Sequence, residues 1–375
     1  MRRAAFVFDD TLSGHVLGES HPMQPIRLKR TYDLLDAYHA FDDENSLLVK
    51  PREATDIEVG WLHDGDYIAA VRSLSLGLSG YNPEQYGFSV QGDNPIYSGM
   101  YDAALLSTGA SLVAAELVAS QQVDVAFNIS GGLHHAAAGH ASGFCIFNDP
   151  VIAIKYFLEQ GKRVAYVDID AHHGDGVQQA FFDDNRVLTI SLHESGRFLF
   201  PGTGFTSESG SGEGSGYAVN LPFYPYTEDD LYLWAFREVV LPLVKAFAPD
   251  VLVTQLGIDS YHSDPLTHLQ VTSRGFTEAI TEFANLGLPW LALGGGGYDL
   301  SAVARCWTLA YGVMLGEEWP DRIPSDYAEQ HGTKSLRDTV ALEVPAQVRA
   351  DAKNLAEESV ATIKSEIFPE HQLGG

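Results

Sequence analysis

Along the chain, short apolar runs alternate with longer stretches in which apolar positions recur every three or four residues. The runs are AAFVF, VDVAFNI, RVAYVDI, RVLTISL, YAVNLP, VLVTQLGI and PWLALGG. Each is nearly continuous in apolar character rather than alternating, which is how strands buried on both faces read. Between them, VIAIKYFLEQG, EDDLYLWAFREVVLPLVKAF and TSRGFTEAITEFANLG carry helical periodicity. Strands spaced by helices predict an α/β fold, a mostly parallel sheet flanked by helices on both faces. No linker or internal repeat divides the pattern. The expectation is therefore one domain over 1–375, with its core at about 1–320 and a peripheral C-terminal helical segment over 333–375. The stretch PGTGFTSESGSGEGSG, 201–216, reads as a surface loop.

In open parallel sheets, ligands bind beyond the carboxyl ends of the strands, and there this chain concentrates its polar chemistry. The run RVAYV leads directly into VDIDAHHGDG. Unpaired charges at the end of a buried strand would cost several kcal/mol each, so a metal ion is the first candidate to compensate them. Alternation along a strand puts Asp168, Asp170 and His172 on one face. Asp170 and His172 can converge on one ion, Asp259 at the end of VLVTQLGID can supply a third donor, and Asp168 lies one step deeper. Two carboxylates and one imidazole leave a position open, the pattern of a catalytic site; zinc is the default, and Fe(II) accepts the same donors. Taken alone, the segment reads equally well as a salt-bridge network or as helix caps. His134 and His135 follow a glycine turn, and Asp168 and Asp175 are the carboxylates available to orient them. Tyr298 rides on a glycine loop that can bring its hydroxyl to the metal.

Composition narrows the partners. Twenty-three Lys and Arg against 50 Asp and Glu give a formal charge of −27, which opposes nucleic-acid binding. It favours cationic partners, or reflects surface solubility. No apolar stretch reads as approaching the ~18 residues of a membrane span. With only Cys145 and Cys306, no disulfide framework or cysteine-based zinc site is available, and a cytoplasmic location is expected.

GGLHHAAAGHASGFCIFND, VDIDAHHGDGVQQAF, SLHESGRFLFPGTG, QLGIDSYHSDPL and LGGGGYDLSAVARCWT, in this order, resemble the zinc-dependent histone deacetylase family. The similarity is to its class I-like branch, which includes bacterial acetoin-utilisation proteins. The resemblance implies an arginase/deacetylase-like fold and hydrolysis of acetyl-lysine in proteins or peptides, or of small acetylated amines. It implies zinc on Asp170, His172 and Asp259, and a catalytic histidine pair, His134 and His135, backed by Asp168 and Asp175. The division of roles between the two histidines stays open. It implies that Tyr298 hydrogen-bonds the acyl oxygen, that Asp93 grips the substrate backbone, and that Gly143, Phe144 and Phe200 wall the acyl-lysine tunnel with Leu266 at its edge. Arg27 matches the arginine of the inner channel. Potassium is implied at Asp168, Asp170, His172, Ser191 and Leu192, and again near Phe181, Asp184, Val187 and Tyr217. The segment HESGRFLFPG departs from the eukaryotic pattern, which puts the substrate in question rather than the chemistry.

Overall fold

The computed structural model describes residues 2–14, 17–18, 20–89, 92–339 and 341–374. Among these, eight strands form one sheet: β1 (Ala4–Val7), β2 (Ser46–Val49), β3 (Val125–Asn128), β4 (Val164–Asp168), β5 (Val187–Glu194), β6 (Ala218–Phe223), β7 (Val251–Gln255) and β8 (Trp290–Leu293). The order is β2-β1-β3-β8-β7-β4-β5-β6, and every pairing is parallel.

Alternate residues of the central strands feed two separate cores, so both of their faces are buried. On one face Phe6, Phe127, Val167, Ile190, Leu252 and Trp290 pack with the helices Ile26–Ala37, Asp229–Phe247, Ser273–Asn285 and Leu300–Leu315. On the other, Val7, Ala126, Tyr166, Val253 and Leu291 pack under the helices Met100–Ala119 and Asp149–Leu158. This two-sided burial is why the strands read as apolar runs.

Two features differ from the sequence expectation. β2 (SLLV) gave no strand signal, because it is a four-residue edge strand that buries only part of its surface. Helix Met100–Ala119 is 20 residues long and apolar enough to cross a bilayer by length and composition, contrary to the reading that no such stretch exists. Its apolar character has a packing cause: it lies against β3, β1, β8 and helix Asp149–Leu158, and most of its residues are buried. A helix buried nearly all round is apolar nearly all round.

The 201–216 stretch is a loop, but a tethered one. Glu208 accepts hydrogen bonds from the backbone N–H of Gly204 and Phe205 and from the Gln178 amide. Helix Ala346–Glu366 lies against β6 and helix Asp229–Phe247, burying Ala352, Ala356, Val360 and Ile363.

Candidate active site

Four adjacent central strands, β3, β8, β7 and β4, end on one rim and send their following loops into one site. β4 ends at Asp168 and the loop after it carries Asp170 and His172; that after β7 carries Asp259; that after β3 carries His134 and His135; that after β8 carries Tyr298.

Asp170, His172 and Asp259 are buried, and one donor atom from each lies within 4.8 Å of the others. His172 Nδ1 sits 2.7 Å from Asp259 Oδ2 and 3.2 Å from Asp170 Oδ1. The remaining carboxylate oxygens are committed. Asp170 Oδ2 accepts from Gln255 Nε2 and from the Gly296 N–H, both at 2.7 Å, and Asp259 Oδ1 accepts the Ala171 N–H at 2.7 Å. The atoms left facing inward are two carboxylate oxygens and one imidazole nitrogen, and burial together with the Asp170 charge pushes Asp259 up to about 7. That donor set fits a zinc or iron(II) ion with a coordination position left over. Gly296 makes the approach possible: a Cβ there would lie 2.3 Å from Asp259 Oδ2 and 2.7 Å from Asp170 Oδ2.

Beside these donors, His134 Nδ1 pairs with Asp168 Oδ2 and His135 Nδ1 with Asp175 Oδ1, each at 2.7 Å, while the two Nε2 atoms face each other at 3.0 Å. The pairs differ in environment. Asp168 has no exposure, whereas the Asp175 side chain is 30% exposed. Burial opposes charge on His134, but Asp168 and Asp170 overcome it and bring its pKa up to about 9. Burial and the His134 charge together hold His135 at about 4. A charged His134 donates from Nδ1 to Asp168. Neutral His135 then donates from Nδ1 to Asp175 and keeps a lone pair on Nε2. Tyr166, on the same strand face as Asp168, donates its hydroxyl to Asp168 Oδ2 at 2.6 Å.

A cavity of about 550 Å³ opens above the donors, lined by His135, His172, Gly143, Phe144, Phe200, Leu266, Tyr298 and Asp93 together with Leu199 and His21. Gly143 and Phe144 form the corner of a tight turn, with φ of +49° and +69°, closed by reciprocal backbone hydrogen bonds between Ser142 and Cys145. Only glycine fits the first position, since a Cβ would meet His135 Cδ2 at 2.4 Å and Phe200 Cε1 at 3.0 Å. The Phe200 ring stands edge-on to His135 at 5.1 Å, and the Phe144 ring edge-on to Tyr298 at 5.8 Å. Asp93 lies exposed at the mouth, where its carbonyl meets His21 Nε2. Burial, with Asp259 and Asp170 nearby, keeps the Tyr298 phenol protonated. Arg27 is buried, donates to the Gly297 carbonyl at 2.9 Å and lines a smaller apolar cavity of about 100 Å³ with Leu133 and Phe144.

Ser191 is the register partner of Asp168 across β4 and β5, and Leu192 follows it, so the first potassium group clusters beside the site. Phe181, Asp184, Val187 and Tyr217 gather at the opposite end of β5, where the Asp184 carboxylate is engaged by Arg186.

Several residues of the site gave no sequence signal. Gln255 bridges Asp170 Oδ2, the Gly132 carbonyl and the Gly257 N–H. Asp264 accepts the N–H groups of Tyr298 and Leu266, fixing two cavity walls at once. Asp149, fully buried, accepts the N–H groups of Gly132 and Leu133 and so shapes the turn into His134. His63 accepts the Asn148 N–H, and Asn148 holds the carbonyls of His134 and Ala136. Apart from Gly257 and Leu266, the partners are distant in sequence, so pattern along the chain could not pair them. Tyr166 alone was findable, two residues before Asp168 on the same face.

Residues 21–314 match the Histone deacetylase domain family. Acetoin utilization protein AcuC of Bacillus subtilis is 43% identical over 333 residues, covering 85% of each chain. Histone deacetylase 1 of Homo sapiens is 38% identical over 333 residues, covering 88% of this chain and 68% of that one. Among solved structures, an HDAC homolog from Aquifex aeolicus superposes with a TM-score of 0.86 at 31% identity, covering 96% of this chain and all of that one. An HDAC homolog complexed with SAHA aligns with the same figures. With sequence identity of this extent and a shared sheet and rim, the chain belongs to the histone deacetylase family, in the branch that holds the bacterial acetoin-utilisation proteins.

Proposed function

We propose that the protein is a metal-dependent amidohydrolase that removes acetyl groups from acetyl-lysine side chains. The observation that carries this reading is the convergence of Asp170, His172 and Asp259 with the histidine pair and Tyr298 at the base of one cavity. A zinc ion, or iron(II), held by those three residues supplies Lewis acidity, acidifying water and polarising a carbonyl. The chain's own groups do the rest. His135, neutral and facing the cavity, takes the proton from the attacking water at Nε2 and delivers it to the leaving lysine nitrogen. His134, charged against Asp168, sets the local field. Tyr298 donates its phenolic hydrogen to the oxygen that gains charge as water adds. The rings of Phe144 and Phe200 flank the aliphatic stem and exclude water, and Asp93 takes the substrate backbone at the mouth.

Potassium at the two groups of residues given above, with Ser191 beside Asp168, belongs to the same proposal and would further balance the buried carboxylates. The buried free thiols of Cys145 and Cys306 fit a reducing, cytoplasmic setting. The charge of −27 suits a basic peptide or a small acetylated amine equally.

The test is turnover of an acetyl-lysine peptide and of acetylspermidine by purified protein, before and after chelation and metal return. Peptide hydrolysis lost on chelation and restored by metal supports the proposal. A dominant rate on acetylspermidine reassigns the substrate. Binding of acetyl-lysine peptide without release of acetate by metal-loaded protein leaves a binding module in place of an enzyme.

A further inference from the structure

The second residue of the segment HESGRFLFPG is Glu194, the last residue of β5, whose side chain has no solvent exposure. A buried carboxylate needs donors, and Glu194 takes both of its own from one residue. Its Oε2 accepts the His268 backbone N–H at 2.8 Å, and its Oε1 lies 3.0 Å from His268 Nδ1. The His268 side chain is half exposed and lines no part of the cavity. The pair joins two cavity walls. From Glu194, one turn closed by hydrogen bonds from the Phe198 and Leu199 N–H groups to the Ser195 carbonyl places Leu199 and Phe200 along the cavity. From His268, the chain steps back through Thr267, whose hydroxyl donates to the Asp259 carbonyl, to Leu266 on the cavity edge. The Tyr226 N–H donates to the His268 carbonyl at 2.9 Å, holding the segment from its other side.

Resting on the deacetylase reading above, we propose that Glu194 and His268 are positioning residues that latch the Leu199–Phe200 wall to the Leu266 wall and so set the acyl size this cavity admits. Leu199, Phe200 and Leu266 line the cavity that leads to the donors. A fixed, narrow spacing grips the slender stem of acetyl-lysine and turns away longer chains; a loosened one does the reverse. Hydrophobic sites discriminate a methylene by about 10–200-fold at best, so a small change in spacing registers in selectivity before it registers in fold.

The experiment compares kcat/KM for acetyl-lysine and butyryl-lysine in one peptide, using the unmodified protein, Glu194→Ala, Glu194→Ala/His268→Ala and His268→Asn. The double variant leaves no buried carboxylate, and the asparagine amide places an N–H where the ring Nδ1 donated. In Glu194→Ala and the double variant, KM for the acetyl peptide rises about tenfold and the butyryl-to-acetyl ratio rises about fivefold or more, while His268→Asn keeps the unmodified ratio. A ratio within about twofold of the unmodified protein in both alanine variants overturns the latch and leaves the deacetylase reading standing. Absence of hydrolysis of either peptide by the metal-loaded unmodified protein overturns that reading, and the latch with it.

Discussion

Gln255 is the sharpest test of how the metal donors are held. It ends β7, and its amide donates to Asp170 Oδ2 at 2.7 Å and to the Gly132 carbonyl at 3.2 Å, while its oxygen accepts the Gly257 N–H at 2.7 Å. Replacing it with leucine keeps the bulk and removes all three contacts. The bond to Asp170, to a charged group, contributes about 1.5–3 kcal/mol, and the Gly257 N–H left without an acceptor costs about 1–3 kcal/mol, so Gln255→Leu destabilises the fold by about 2.5–6 kcal/mol. Asp170, freed on that side, is also less fixed as a ligand, which corresponds to about 10–100-fold in metal affinity. The neighbouring Thr254 points to the opposite face, where its hydroxyl accepts the Trp290 indole N–H at 2.8 Å. Thr254→Val therefore costs about 1–3 kcal/mol of stability and leaves the metal alone. Chelator-competition titration and thermal unfolding of the two variants separate the effects. A metal affinity for Gln255→Leu within about threefold of the unmodified protein, alongside the expected loss of stability, would refute the positioning argument.

Tyr298→Phe retains its metal by elemental analysis and loses about 10²–10³ in kcat; near-normal turnover removes the tyrosine from the oxyanion. Gly143→Ala forces a β-carbon against His135 and Phe200 at φ +49°. It is expected to cost about 1–3 kcal/mol from overpacking, read by thermal unfolding, and to raise KM; an unchanged KM contradicts the wall geometry. The pH profile of kcat/KM carries an acidic limb, lost as pH falls through the His135 pKa near 4, and an alkaline limb, lost as pH rises through that of His134 near 9. Bound dication lowers both. Asp168→Asn removes the carboxylate that raises His134 and moves the alkaline limb to lower pH; an unmoved limb excludes His134 as its source.

The sequence by itself determined the α/β class, most of the strands and the residues that meet at the rim. Strands such as RVAYV and VLVTQ are buried on both faces, so burial is written into them as unbroken apolar character, and period-two alternation then fixes which of Asp168, Ile169 and Asp170 share a face. What it left undetermined depends on neighbours far away in the chain. Strand SLLV is half-exposed at the sheet edge and carries too little apolar pattern to register, while helix Met100–Ala119 looks like a membrane span until the sheet and helix that cover it are in place. The protonation of the histidine pair follows from Asp168 and Asp170 both acting on His134 while His135 is buried beside the His134 charge, a difference in surroundings that adjacent residues in a sequence cannot express. Gln255, Asp264 and the Glu194–His268 pair are likewise ordinary polar residues until the fold removes water from them. Only then does each have to find its partner across the site, because a buried polar group has nothing else to bond.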